Sequence, residues 1–153
     1  MALHGNEEAR NRGAEGDAPA VVFASAYEAV AALDAAGPRG VVLVSPSDAA
    51  AFPGARVMAA MVAEARQAHP GVPHLAVLDC GVAPGLALDA LRRGWRCLVL
   101  DPSCPAYATV EAAAAEVGAG LLPARPEALD LSALDLRKEG GRAILTRWLA
   151  GLP

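Results

Sequence analysis

The chain has 153 residues, is 54% apolar and carries a net charge of −4. That is enough for one domain with a substantial core, yet no apolar run approaches the roughly 20 residues that span a bilayer. Aromatic residues are 4% of the chain and cations are not clustered, which argues against a nucleic-acid surface; three cysteines without a CxxC suggest neither a disulfide framework nor a zinc site.

Residues 1–18 are polar, mixed in charge and without apolar periodicity, and read as a disordered tail. They lack a basic segment followed by an apolar one, so no signal peptide is expected and a cytoplasmic location is. Residues 19–131 read as an α/β domain, and residues 132–153 as a C-terminal helical segment.

The first buried strand is Ala20 to Ala24. Ser25 and Glu28 then have the S-x-x-E spacing of a capping box, opening a helix to about Ala36 that Gly37-Pro38 ends. Gly40 to Val44 is the second strand. A loop through Pro53-Gly54 leads to a helix from about Ala55 to Ala68, with Val57, Met58, Met61, Val62 and Ala65 at helical spacing. Leu75 to Leu78 is the third strand. Pro84 to Arg93 is a helix with Leu86, Leu88 and Leu91 inward. Arg96 to Leu100 is the fourth strand, and a helix from about Ala106 to Val117 follows, with Val110 and Val117 inward. Leu121-Leu122 is a short fifth strand, and the stretch from Pro126 to Leu131 reads as a loop. In the last segment, Ser132 and Asp135 form a weaker capping pattern and Gly140-Gly141 interrupts the helix. Leu145, Trp148 and Leu149 then make an apolar stripe that packs on its own domain or on a second copy, so a homo-oligomer is expected.

Five short apolar strands alternating with helices describe a parallel sheet covered on both faces. The expected fold is an open three-layer αβα sandwich, flavodoxin-like, with strand order 2-1-3-4-5. In such sheets ligands bind beyond the carboxyl ends of the strands. Those tips carry Ser25, then Ser45, Ser47 and Asp48, then Asp79, Cys80 and Gly81, then Asp101, Ser103 and Cys104, then Pro123, Ala124 and Arg125.

Asp79, Cys80 and Asp101 are the catalytic candidates. The two carboxylates serve as an acid/base pair or bind a divalent cation, or else each caps its own loop by accepting backbone N–H bonds. Cys80 precedes a helix N-terminus, where the dipole favours a thiolate, but no histidine is placed to act as its base. Ligand-binding candidates are Ser45, Gly81, Gly85, Ser103 and Arg125, with the Gly81–Gly85 loop as an anion cradle. No GxGxxG or GxxxxGK[ST] is present, no cofactor is indicated and no metal-ligand motif is found. Lys138, the one lysine, stands between Arg137 and Glu139, which excludes Schiff-base chemistry at a strand end.

The cadence from Ala20 to Pro102, ASAYEAVAAL, PRGVVLVSP, EARQAHPGVPHLAVLDCG, ALDALRRGW and LVLDP, resembles the middle of a response-regulator receiver domain. The resemblance implies a flavodoxin-like fold and a regulatory role. Ser45 falls where a receiver has its phosphoacceptor aspartate, and Asp101 where it has the lysine of a K-P dipeptide, so no catalytic residue carries over. Two functions are expected: a non-catalytic, self-associating receiver-like module, or a small enzyme or ligand binder acting through the strand tips.

Overall fold

The computed structural model describes residues 18–152. The disordered tail expected over residues 1–18 therefore lies, but for Ala18, outside the described residues. The chain is an α/β protein with a parallel sheet flanked by helices, in the expected αβα class. The strands are β1 (Ala20–Val22), β2 (Val41–Val44), β3 (His74–Asp79), β4 (Cys97–Val99), β5 (Gly120–Leu122) and β6 (Ala128–Asp130). The helices are α1 (Ala26–Ala35), α2 (Ala55–Ala68), α3 (Pro84–Arg92), α4 (Tyr107–Glu116) and α5 (Glu139–Leu149).

Two expectations are corrected. The sheet has six strands rather than five, and its order is β5-β4-β3-β2-β1-β6 rather than 2-1-3-4-5. Consecutive strands β1 to β5 each lie beside their chain neighbour, the commoner arrangement for successive elements. The loop expected between Pro126 and Leu131 contains β6, which pairs in parallel with β1 from Ala20↔Ala128 to Val22↔Asp130.

The chain divides into two compact units. Of the described residues, one contains 18–43, Met61–Leu75 and 127–152. Its core includes Val21, Phe23, Leu33, Leu43, Leu131 and Leu145. Ser25 caps α1 as expected, its Oγ accepting the Glu28 N–H at 3.1 Å. The reciprocal half of the box differs, because the Ser25 hydroxyl donates to Glu28 Oε2 at 3.2 Å. Gly40, at φ +76°, lies so close to the Pro73 carbonyl that any Cβ there would collide with it.

The apolar stripe of α5 is used within this unit. Leu145 and Leu149 are buried, and Trp148 donates its indole N–H to the Ala20 carbonyl at 2.8 Å. Of the two placements expected for the stripe, Leu145 and Leu149 take the one on their own domain. Asp130, not Ser132, opens the preceding 3₁₀ turn, accepting the Ser132 N–H at 3.0 Å. Gly140 and Gly141 belong to the first turn of α5 instead of interrupting it, because Gly141 packs directly on the Asp135 carbonyl and leaves no room for a side chain.

The other unit is Val44–Ala60 with Ala76–Pro126. Strands β3, β4 and β5 pair in parallel, Leu78 opposite Leu98 and Val99 opposite Leu122. Val77, Leu78 and Leu98 of the strands are buried, as are Leu100 just after β4, Met58 of α2 and Val110 of α4. Trp95 is buried with its indole satisfied, donating to the Ala55 carbonyl at 3.1 Å. The inner faces of three helices differ from expectation. Val57 and Val117 are exposed, and Leu86 and Leu88 are half-buried, while small Ala87, Ala90 and Ala114 face inward. In an alanine-rich chain the small residue takes the close contact and the larger apolar one is displaced to the flank.

Candidate functional site at the strand tips

Polar residues gather where β2, β3 and β5 end, all within the second unit. Ser45 follows β2 directly and is fully buried. Its Oγ accepts the Asp79 backbone N–H at 2.9 Å and its hydroxyl donates to the Pro46 carbonyl at 3.0 Å. Asp79, the last residue of β3, is buried as well. Asp79 Oδ1 accepts the Gly81 N–H at 2.8 Å, which closes the loop after the strand. Asp79 Oδ2 accepts from Arg125 Nη1 at 2.7 Å. The same guanidinium donates through Nη2 to the Ser45 carbonyl at 2.9 Å. One arginine thus ties the end of β2 to the end of β3. Burying a carboxylate is costly unless both oxygens are bonded, and here they are.

This network faces a cavity of about 360 Å³. Its charged lining groups are Asp48, Asp79, Asp101 and Arg125, and Val82, Val99 and Pro102 supply apolar wall. Asp48 and Asp101 are exposed, whereas Asp79 is buried and the Arg125 side chain is 29% accessible. The ion pair therefore forms the floor and the two exposed carboxylates the mouth. Asp48 sits in the left-handed region, φ 58°, and its carboxylate approaches Gly81 so closely that a Cβ on that glycine would collide with it. Gly81 is itself at φ +57°.

The catalytic candidates fare differently. Asp101 lines the cavity but its Oδ1 accepts the Ser103 N–H at 2.9 Å, as a carboxylate closing its own turn does. Bonds from the Ser103 backbone and hydroxyl hold its carboxyl below the usual carboxylate range. Asp79 is likewise bonded to its own loop and, in addition, to Arg125. Each aspartate thus accepts the backbone N–H two residues on, the loop-closing role that the sequence offered beside the acid/base one. Cys80 is buried, its Sγ near the Leu78 carbonyl at 3.8 Å, and burial together with the Asp79 carboxylate pushes its thiol up to about 12. The thiolate expected from the helix dipole is overridden by desolvation. Cys97 and Cys104 are also buried and not disulfide-bonded.

The anion cradle expected at Gly81–Gly85 is largely consumed. The Gly81 N–H is bonded to Asp79, the Ala83 N–H goes to the Cys80 carbonyl at 3.0 Å, and Pro84 has none. Gly85 and Ser103 are exposed and do not line the cavity, and Ser25 serves as the cap of α1. Among the described residues, no three His, Cys, Asp or Glu side chains are grouped as metal ligands would be. Sequence reading placed Arg125 at the tips but not its bond to Asp79, since 46 residues separate the two and nothing local links them.

No protein-family model matches the chain, and no curated protein is detectably similar to it in sequence.

Proposed function

We propose that the chain is a non-catalytic, receiver-like binding module that takes a small polar molecule in the cavity at the strand tips of its second unit. The observation that carries this reading is the buried Asp79–Arg125 pair, bonded also to Ser45 and opening onto that cavity. A buried ion pair adds little to stability compared with apolar packing, so its presence at a ligand-facing position favours a binding role. The catalytic alternative has less behind it: Cys80 is a buried thiol whose pKa is raised, and Asp79 and Asp101 each accept a bond from their own loop.

Asp79 ends β3, and Arg125 is bonded to it at the floor of the cavity. The regulatory role is then one in which occupancy of the cavity is what the module reports.

Thermal unfolding in the presence of a panel of Mg²⁺, phosphate esters, nucleotides, amino acids and small amines tests the reading. A molecule bound only by the native state, at a hundred times its dissociation constant, adds about 2.7 kcal/mol. The expected result is a rise in Tm with at least one panel member that Arg125→Ala abolishes. Failure of the whole panel would overturn the binding role.

A further inference from the structure

The lining of the cavity narrows the class of molecule, on the premise that the cavity is a binding site. A guanidinium has five N–H donors. Arg125 uses two of them, to Asp79 Oδ2 and to the Ser45 carbonyl, and its side chain is 29% accessible where it lines the cavity. Its remaining donors are open to a carboxylate, which the planar fork of an arginine recognises well.

A simple anion is nevertheless a poor fit. Arg125 is the only cation of the lining, its charge is already balanced by Asp79, and the two other charged groups, Asp48 and Asp101, are negative. They stand at the exposed mouth, and the Asp48 side chain has no hydrogen-bond partner among the described residues. A simple cation would satisfy the mouth but leave the donors on the floor unused. About 360 Å³ is at the small end of ligand cavities, a size that a small molecule fills. Val82, Val99 and Pro102 offer apolar contact between the charged ends.

We propose that the cavity receives a small zwitterion of the free amino-acid class, its carboxylate on the spare Arg125 donors and its ammonium between Asp48 and Asp101. The proposal deepens the binding reading and rests on it. Calorimetric titration of the full chain with the free L-amino acids, their N-acetyl derivatives and their amides tests it. At least one free amino acid binds, and removing either charge weakens binding tenfold or more. Asp101→Asn keeps an acceptor for the Ser103 turn, so the fold survives; it weakens the free amino acid severalfold and leaves the N-acetyl form unchanged. Equal binding of a singly charged derivative, insensitivity to Asp101→Asn, or no binding by any free amino acid would overturn the zwitterion assignment. If amino acids fail while another small molecule binds in an Arg125-dependent way, the ligand class is wrong and the binding site stands; if nothing binds, both fall.

Discussion

The tips of β3 and β4 are built from the same local pattern and end up as different chemical objects. At each, an aspartate accepts a hydrogen bond from the backbone N–H two residues on, Gly81 in one case and Ser103 in the other. Asp101 stops there: it is exposed and its turn is self-contained. Asp79 is buried, and its second oxygen is taken by Arg125 from the far end of the unit's chain. The difference teaches that an Asx-type turn fixes the backbone at a strand end, whereas a partner distant in sequence decides whether the carboxylate is buried in an ion pair or left exposed at the edge of the same cavity.

The sharpest way to break this contrast is Asp79→Ala. It leaves Arg125 without its carboxylate and the Gly81 N–H without its acceptor, and it should cost about 3 kcal/mol in denaturant unfolding, the low end for a buried pair because Arg125 is part-exposed. Asp101→Ala should change stability far less, since an exposed turn loses one bond to solvent-accessible backbone. Comparable losses in the two variants would dissolve the distinction.

Next in size is the contact between Asp48 and Gly81. Gly81→Ala adds a Cβ at a positive φ and against the Asp48 carboxylate, and is expected to destabilise by about 1–2 kcal/mol. Asp48→Gly relieves the left-handed backbone at position 48 and should stabilise by up to about 1 kcal/mol. In the double variant the cost of Gly81→Ala should shrink, a coupling readable from a double-mutant cycle.

Acid–base behaviour sharpens the comparison at smaller amplitude. The Cys80 thiol is raised in the folded state, from 9.0 to about 12, so its contribution is complete below pH 9 and is lost as the pH climbs toward 12. Native protein at pH 8 should therefore resist iodoacetamide at Cys80 while unfolded protein is alkylated readily, as peptide mapping would show. The smallest effect belongs to Asp101. Its folded carboxyl is depressed, so the stability it brings is present above the ordinary value of 3.8 and is lost as the pH falls through the folded value. Side-chain NMR titration should place its midpoint below 3.8, and Ser103→Pro, which removes the N–H, should return it toward that value.

What the sequence disclosed follows the range of the forces involved. The cap at Ser25–Glu28 and the span of α2, Ala55–Ala68, were legible because neighbours within one turn determine them. The parallel αβα class was legible from the alternation of apolar runs and helices. β6 was not, because Ala128-Leu129-Asp130 has no β-branched residue and becomes a strand only by pairing with β1. Nor was the inward face of α3 or α4, where alanines compete with leucine and valine for the close contact. The candidate site was half legible. The rule that strand ends gather polar residues put Asp79, Asp101 and Arg125 among the tips, while the identity of the bonded pair depended on a separation that leaves no local trace.

The pairing of β6 with β1 also bears on how the molecule is made. Ala20 meets Ala128, a separation of 108 residues (128 − 20), so one side of β1 offers bare amide and carbonyl groups until the residues through Asp130 have left the ribosome. Closing so long a loop carries an entropic cost that is met only when β6 arrives. Nascent chains that stall before Asp130 present an adhesive border to one another, and chaperone demand in a cell should fall abruptly once translation passes that residue.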